Sequence, residues 1–366
     1  MIRIMHVISD ANIGGAGYQL ISLLEGMDRD FFDTKVVLPQ NSMLIKKISD
    51  IGVCYEEMPY LAAKSFSVKA CCLLYKKIKS YRPHLVHAHA ALSARIAAKI
   101  YGKCNIVHTR HSVYPLTKKQ KALKRLIGLA EDLLGGRIIA VSPAAMDNLT
   151  QMGVNKEKIE VIFNGVKQVR SCSDEERLII KNKYKLPSDV FIVAKIARLT
   201  GVKGHDYVLD AAKETDAVFL LAGDGDRLRH LEARVNEENI TNVQLLGHVG
   251  DISEIINIMD VQVMASFGTE ATSLSLLEGM SLGKPAIVTD YGGNPYVIED
   301  GKNGLVVPAK SAVGLRNGIS KLMNDRDFYD SCCKGAKEIY ENKFTANKMV
   351  SKTMELYKKL LGGYNA

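Results

Sequence analysis

The stretch VQVMASFGTEATSLSLLEGMSLGKP, residues 261–285, contains the elements that decide the fold. Its first five residues are mostly apolar, as is typical of a buried parallel strand. A polar loop leads from this run into a helical pattern that begins near Thr272 and Ser273. The backbone N–H groups of Thr272, Ser273 and Leu274 would point at an anion, because a helix N-terminus has unpaired donors and the positive end of the dipole. The stretch therefore predicts a strand, an anion-binding loop and a helix.

The same alternation of short apolar runs and longer amphipathic segments extends along the whole chain. Strands are predicted at 3–8, 34–38, 85–87, 105–109, 137–141 and 159–162 in the first half, and at 191–197, 217–222, 243–246, 261–265, 285–289 and 304–307 in the second. This order predicts an α/β protein with two doubly wound, Rossmann-like sheets in series. A length of 366 residues agrees with two domains.

The polar, charged segment 164–188 predicts the linker between the two domains. We expect a first domain at 1–168, a second at 169–345, and a C-terminal helix at about 346–366 that packs back on the first. Ligands of open α/β sheets bind beyond the carboxyl ends of the strands. Two such domains facing each other across a cleft would place the active site in that cleft.

The charge of the chain is distributed unevenly. The formal net charge is +9, and residues 1–171 hold 25 Lys and Arg against 13 Asp and Glu. This asymmetry indicates an anionic partner for the first half, either membrane lipid or nucleic acid, with a solvated basic face as the alternative. Of the two partners we expect an anionic membrane surface and no nucleic acid.

The chain shows neither a long apolar run nor the layout of a signal peptide. Its seven cysteines fit neither a disulfide framework nor a CxxC metal site. We therefore expect a cytoplasmic protein, either free or peripheral on the inner face of the membrane.

Two carboxylates and two cations are the candidates for chemistry in the second half. Glu270 lies on the loop after the strand 261–265, and Glu278 lies on the helix that follows. Arg198 and Lys203 follow the strand 191–197 in a glycine-bearing loop. Arg198 can bind a phosphate with two N–H groups, and Lys203 can supply a point charge, so the pair can stabilise a departing diphosphate. Read alone, two glutamates eight residues apart are commonplace, and cations at a strand end are often only solvated.

In this context the segment 266–285 resembles the Glu-x7-Glu segment of glycosyltransferase family 4, whose members have the GT-B fold and retain the anomeric configuration of the donor sugar. The resemblance is strong from about residue 190 to 307 and looser over the first half. It implies that Glu270 contacts sugar hydroxyls, that Glu278 contacts the ribose, and that Arg198 and Lys203 neutralise the donor diphosphate. It also implies that the backbone of His248 and Val249 lies near the base.

The first half contributes two further candidates by the same resemblance. Gly15, in the glycine-rich loop after the first strand, would contact the donor phosphate, although a dinucleotide-binding loop would look similar. His111, after the strand 105–109, matches the functional histidine near the donor sugar. His87 and His89 have a spacing that can bind metal, but no third ligand pattern accompanies them, and we expect structural hydrogen bonds there. No metal and no cofactor are predicted, because the diphosphate would be neutralised by protein cations.

The basic stretch 117–134 has apolar residues at 123, 126, 127, 130, 133 and 134, the spacing of one amphipathic helix. Its cations Lys118, Lys121, Lys124 and Arg125 are candidates for contact with anionic lipid. The alternative is that the stripe packs on its own sheet and the cations are only solvated.

Together these features predict a retaining, metal-independent glycosyltransferase. We expect it to move a hexose from a nucleoside diphosphate sugar, with UDP favoured, to a hydroxyl of a glycan or lipid-linked acceptor in cell-envelope or exopolysaccharide synthesis. The alternatives are a nucleotide-sugar 2-epimerase of the same fold and a non-enzymatic nucleotide-binding interaction protein.

Overall fold

The computed structural model describes residues 1–62 and 66–362. Contacts divide the chain into two compact units, Met1–Gly165 with the segment from Ala346 onward, and Val166–Thr345. The predicted boundary between the two domains lies after residue 168, whereas the contacts place it after Gly165. The predicted return of the chain to the first domain, at residue 346, coincides with Ala346. Residues of the expected linker form a helix, Asp174–Lys183, that belongs to the second unit. The chain therefore changes units within a few residues and not over a long linker.

The first unit is built on a parallel sheet of seven strands within the described residues, in the order β3-β2-β1-β4-β5-β6-β7. Apolar side chains of Ile4, Leu85 and Val107 fill the core between this sheet and its helices. The strands are β1 Ile2–Ile8, β2 Phe32–Pro39, β3 Cys54–Met58, β4 Leu85–His89, β5 Asn105–Arg110, β6 Arg137–Ala140 and β7 Ile159–Val161.

Helices connect these strands, as the crossovers of a parallel sheet require. They are α1 Gly15–Gly26, α2 Leu44–Asp50, α3 Val68–Tyr81, α4 Leu92–Tyr101, α5 Lys118–Ala122, α6 Lys124–Leu134 and α7 Pro143–Gln151. Serine or threonine caps three of them: Ser67 for α3, Thr117 for α5 and Ser142 for α7 each accept a backbone N–H.

The stretch 117–134 does not form the single helix that its pattern predicted. It divides at Leu123 into α5 and α6, and only Gly128 of α6 is fully buried. A Cβ at Gly128 would lie 2.3 Å from the carbonyl oxygen of Gly153, so the helix backbone rests directly on that turn. Ile127 and Leu134 are half-buried, whereas the rest of the apolar stripe faces outward.

The second unit has a parallel sheet in the order β10-β9-β8-β11-β12-β13. Its strands are β8 Ile192–Ile196, β9 Val218–Ala222, β10 Val243–Gly247, β11 Val261–Met264, β12 Ala286–Thr289 and β13 Gly304–Val307. Its helices are α8 Asp174–Lys183, α9 His205–Ala212, α10 Leu228–Glu237, α11 Ser253–Ile258, α12 Leu274–Ser281, α13 Asn294–Val297, α14 Ala312–Asn324 and α15 Arg326–Ile339. Both sheets are doubly wound, as the sequence predicted.

The last helix, α16 Ala346–Leu360, belongs to the first unit. Met349 and Tyr357 of α16 are buried in the first core, and the Tyr357 hydroxyl lies 2.5 Å from Nδ1 of His87. Residues 363–366 of the predicted terminal helix lie outside the described residues.

Candidate functional site

The candidate residues of the second unit meet where its sheet changes winding direction. The chain runs outward from β8 to β9 and β10, and then returns to place β11 on the other side of β8. The loops that leave β8 and β11 therefore diverge, and in doubly wound sheets ligands bind beyond the strand ends at this point. Arg198 and Lys203 follow β8, and Glu270 follows β11. The topology thus brings together residues that are about 70 positions apart in sequence.

Helix α12 begins beside the end of β8. Its N-cap Ser273 accepts the N–H of Leu276 at 3.4 Å, and Ser275 in its first turn donates to the carbonyl of Ile196, the last residue of β8, at 3.1 Å. The backbone donors of the first turn are thereby held next to the loop that starts at Ala197. This start was predicted from the sequence at Thr272–Ser273.

Lys203 and Glu270 form a buried ion pair. Nζ of Lys203 lies 2.7 Å from Oε2 of Glu270, and their side chains are 16% and 6% exposed. The same carboxylate oxygen accepts the hydroxyl of Ser266 at 2.9 Å. Oε1 of Glu270 accepts no hydrogen bond from the described residues, so one oxygen of this carboxylate is left for a ligand.

Arg198 differs from Lys203 in being exposed and in forming no ion pair with the described part of the chain. Its position depends on a glycine-rich turn after β9. A Cβ at Gly223 would lie 2.0 Å from the carbonyl oxygen of Ala197, and Leu199 donates its N–H to the carbonyl of Asp224 at 2.9 Å. The segment Asp224-Gly-Asp226 therefore supports the backbone around Arg198 as a turn.

A third cation, Lys195, was missed by the sequence reasoning. It lies within β8, is 0% exposed, and its Nζ has no hydrogen-bond partner among the described residues. Burial lowers the pKa of Lys195 to about 7; the nearby charge of Lys203 lowers it as well, and Glu270 raises it. A buried amine without a partner costs stability, which makes it a candidate functional group. The signal was a lysine inside the apolar strand 191–197.

Glu278 lies on α12 and is partly buried. Its carboxylate makes no hydrogen bond with the described residues, and desolvation raises its pKa to about 7. An unpaired carboxylate of this kind is favourable only when a ligand donates hydrogen bonds to it. Ribose hydroxyls are suitable donors.

His248 and Val249 follow β10 and border a recess of about 310 Å³. The ion pair between Lys183 and Glu254, 2.6 Å long, lies at this recess. The recess is lined by Lys183, Tyr184, Leu246, His248, Val249, Gly250, Asp251 and Glu254. Its polar and aromatic lining can accept a planar ring.

In the first unit, Gly15 lies at the corresponding switch point, between β1 and β4. It is the exposed first residue of α1, and a Cβ there would meet no atom within 4 Å. By contrast, a Cβ at Gly17 would lie 2.7 Å from Cδ2 of Leu44. Within the described chain, a side chain at residue 17 would have to displace that of Leu44, whereas the space beside Gly15 is open to a ligand.

His111 ends a row of hydrogen-bonded imidazoles. Its Nε2 lies 3.2 Å from Nδ1 of His89, and Nε2 of His89 lies 3.2 Å from Nδ1 of His6. Burial lowers the pKa of His111 to about 4 and that of His6 to about 3. Each ring is therefore neutral at pH 7, and His111 can bind a ligand by hydrogen bonding but not as a cation.

His6 completes a cluster with His87 and His89, and the sequence pattern did not predict this third histidine. The ligand atoms of His6, His87 and His89 lie within 4.8 Å of one another, and all three side chains are buried. However, both ring nitrogens of His87 already have partners, Tyr357 at 2.5 Å and Thr109 at 2.6 Å. The cluster is thus a hydrogen-bonded network that connects β1, β4, β5 and α16.

Comparisons with known proteins show the family of the chain. The family model described as Glycosyltransferase Family 4 matches residues 13–170, and the model described as Glycosyl transferases group 1 matches residues 176–339. The Escherichia coli UDP-Gal:alpha-D-GlcNAc-diphosphoundecaprenol alpha-1,3-galactosyltransferase is 27% identical over 380 residues, which cover 93% of this chain and 96% of that protein.

Two solved structures show the same architecture over the whole chain. A glycosyltransferase from Rickettsia africae superposes with a TM-score of 0.84 at 23% identity, covering 99% of each chain. Anabaena Alr3699/HepE in complex with UDP and glucose gives a TM-score of 0.87 at 20% identity, covering 98% of this chain and all of that one. The two matched models and these folds show that the chain belongs to glycosyltransferase family 4 and is a glycosyltransferase of the GT-B fold.

Proposed function

We propose that this glycosyltransferase moves a hexose from a UDP-sugar to a hydroxyl of a lipid-linked or other glycan acceptor, with retention of anomeric configuration. The observation that carries the proposal is the group at the β8–β11 switch point. An exposed Arg198, the Lys203–Glu270 pair and the start of α12 are held together there by hydrogen bonds between the strand ends. Cations beside the backbone N–H groups of a helix start suit a diphosphate.

In this proposal the donor diphosphate binds Arg198 and Lys203 and the N–H groups of Thr272, Ser273 and Leu274. Lys195, which is buried within β8, adds positive charge to the site, because a bound dianion favours its protonated form. Glu270 uses its free oxygen Oε1 for sugar hydroxyls, and Glu278 accepts the ribose hydroxyls. The base occupies the recess beside His248 and Val249.

Two relatives support a uridine nucleotide. The Escherichia coli relative is named for UDP-Gal, and the Anabaena neighbour was solved with UDP and glucose. The partly buried Glu278 with no internal partner agrees with a ribose, which every candidate donor contains. UDP is therefore the first nucleotide to test, followed by GDP and ADP.

The chemistry that we propose assigns no enzymic nucleophile. The bond between the anomeric carbon and the diphosphate oxygen breaks, and the acceptor oxygen bonds to that carbon on the same face of the sugar. The departing phosphate oxygen accepts the proton of the acceptor hydroxyl. Arg198 and Lys203 stabilise the negative charge that accumulates on the phosphate, the role that Mg²⁺ has in other transferases. Retention and independence of metal both follow from this scheme.

The residues of the first unit have more limited roles in the proposal. Gly15 leaves room for a donor phosphate beside the start of α1. His111 donates or accepts a hydrogen bond at the donor sugar as a neutral imidazole, in line with its lowered pKa. No step requires a proton to leave His111.

For the acceptor we propose a lipid-linked glycan, since the Escherichia coli relative is named for a GlcNAc-diphosphoundecaprenol acceptor. Such an acceptor places the enzyme in cell-envelope or exopolysaccharide synthesis, at the cytoplasmic face of the membrane. A soluble glycan acceptor is equally compatible with the proposed donor site. The identity of the acceptor is therefore tested separately from the identity of the donor.

The test has two stages. Thermal shift with UDP, GDP, ADP and their sugars identifies the donor, because a ligand that binds only the folded state raises Tm. Proton NMR of the product formed from that donor, with EDTA present, then shows the anomeric configuration. We expect an unchanged configuration and a rate that EDTA does not alter.

Inverted product would contradict retention, and a rate abolished by EDTA and restored by Mg²⁺ would contradict metal independence. Release of free epimerised sugar without acceptor would identify a 2-epimerase instead. Nucleotide binding without turnover of any sugar would favour an interaction protein.

A further inference from the structure

The outward face of α5 and α6 presents four leucines to solvent. Leu123, Leu126, Leu129 and Leu133, here named the leucine ridge, are 37%, 62%, 57% and 66% exposed. The spacing of 126, 129 and 133 places these side chains along one side of α6. Scattered exposed leucines are normal, but three along one side of α6, with Leu123 immediately before the helix, form an apolar patch.

The orientation of α6 is fixed by its opposite face. Gly128 packs directly on the turn at Gly153, where no side chain would fit. Glu131 faces inward to Arg95, with 3.1 Å between Arg95 Nη1 and Glu131 Oε1. The helix therefore cannot turn its leucines inward without breaking these contacts.

Cations flank the leucine ridge. Five basic residues of α5 and the start of α6 are exposed, and none forms an ion pair with the residues that the structure describes: Lys118, Lys119, Lys121, Lys124 and Arg125. The two acidic residues of α6 are already paired, Glu131 with Arg95 and Asp132 with Lys158, the latter at 2.6 Å. The net charge beside the ridge is therefore strongly positive.

We propose that the leucine ridge inserts into the interface of an anionic bilayer while the flanking cations bind lipid headgroups. Among the described residues, no helix combines the length and hydropathy needed to cross a bilayer. An apolar helix face with adjacent lysines lies in the plane of the interface, and its apolar side enters roughly 5–10 Å. The headgroup charge attracts Lys118 and its neighbours.

Charge favours an anionic bilayer over a second copy of the chain as the partner of the leucine ridge. A symmetric contact through the leucine ridge would bring the same five cations against one another, and like charges in contact are unfavourable. An anionic bilayer offers both the opposite charge and an apolar layer. The inference depends on the surface of the first unit alone and not on the proposed transfer reaction.

The experiment is sedimentation of the full chain with vesicles of phosphatidylcholine, with or without phosphatidylglycerol. We expect binding to the anionic vesicles that weakens as salt rises, because salt screens headgroup charge. Leu126→Gln with Leu133→Gln should weaken this binding by about tenfold or more. Each substitution removes the free energy that is gained when a leucine side chain moves from water into the bilayer. The matched control is Leu178→Gln with Ile179→Gln on α8, which replaces side chains that are 48% and 68% exposed and should leave binding unchanged.

A second variant tests the cations. Replacement of Lys118, Lys121, Lys124 and Arg125 by Gln should remove the preference for anionic vesicles and the salt dependence. Equal binding to neutral and anionic vesicles would overturn the proposal, as would leucine variants that bind as well as the parent. So would a dimer in sedimentation velocity that the Leu126 and Leu133 variant dissociates while vesicles stay unbound.

Donor binding separates this inference from the proposed function. The leucine variants should keep their Tm and their calorimetric affinity for UDP, because the exposed ridge contacts no candidate donor residue. Vesicle binding without UDP binding would contradict only the proposed function, and the reverse would contradict only the membrane contact.

Discussion

Lys203 donates to Oε2 of Glu270 over 2.7 Å in a largely buried ion pair. The pair connects the loop after β8 to the loop after β11, the two loops that diverge at the switch point of the second sheet. It leaves Oε1 of Glu270 open and compensates part of the positive charge that Lys195 and Lys203 bring to the site. A diphosphate that enters the site therefore meets cations that are already positioned.

Glu270→Gln should separate donor sugar contact from nucleotide binding. The variant keeps the shape of the side chain but removes the charged acceptor for sugar hydroxyls. A hydrogen bond to a charged group contributes roughly 1.5–3 kcal/mol, so transfer should slow by about 10- to 150-fold. Affinity for UDP, which has no sugar, should stay equal or increase, because a negative charge has been removed beside the diphosphate.

The measurement is the single-turnover rate together with UDP calorimetry, with Tm as the control for folding. An equal loss of UDP affinity and rate would mean that Glu270 only supports the loop.

Glu278 should make donor affinity depend on pH. Its pKa is raised to about 7 by burial, and ribose hydroxyls donate more strongly to the ionised carboxylate than to the protonated acid, so binding should release a proton. Affinity for a UDP-hexose should therefore rise between pH 6 and 8. A UDP-hexose is the right probe because the terminal phosphate of free UDP itself titrates near pH 6.

Calorimetry across this range, in buffers of different ionisation enthalpy, measures the released proton. Glu278→Gln should lose the pH dependence and about 10- to 150-fold in affinity. Unchanged pH dependence in that variant would assign the titration to a group other than Glu278. Lys195 would act in the opposite direction, since a bound diphosphate favours its protonated form.

Lys195→Met should stabilise the fold and weaken nucleotide binding. Burial lowers the pKa of Lys195 from 10.5 to about 7. Below pH 7 the lysine is charged in both the folded and unfolded states, so the cost of burying the charge is fully present. Between pH 7 and 10.5 the unfolded state binds the proton and the folded state does not, so stability rises with pH in this window.

The gain from Lys195→Met should therefore be largest at pH 6, on the order of 2 kcal/mol or more, and shrink by pH 9. Urea unfolding at both pH values measures it. A destabilised variant, or a gain that grows with pH, would contradict the unpaired buried amine, and unchanged UDP affinity would remove Lys195 from the donor site.

The hydrophobic pattern predicted the buried strands of both sheets because parallel strands covered on two faces read as apolar runs. It missed β3, Cys54–Met58, for a physical reason. β3 is an edge strand whose residues Glu56 and Glu57 face solvent in part, and Glu56 pairs with Lys35 at 2.9 Å. Charged side chains suit an exposed edge but remove the apolar signal.

Two features of the candidate sites depend on long-range packing that one sequence does not reveal. His6 approaches His89 only because β1 and β4 are neighbours in the sheet. The leucine ridge is exposed because Gly128 rests on Gly153, whereas the periodicity alone fits a helix packed on its sheet equally well. Periodicity identifies an apolar face but not what covers it.

The most direct test of the central claim is a calorimetric titration of the intact chain with UDP, repeated with Arg198→Ala combined with Glu278→Ala. We predict saturable one-to-one binding by the parent and a loss of at least 100-fold in the double variant, because a phosphate contact and the ribose contact are both removed. Circular dichroism and Tm of the variant should match the parent, since Arg198 is exposed and neither side chain has a partner within the described chain. Equal affinity of the two proteins for UDP would contradict a donor site at the β8–β11 switch point.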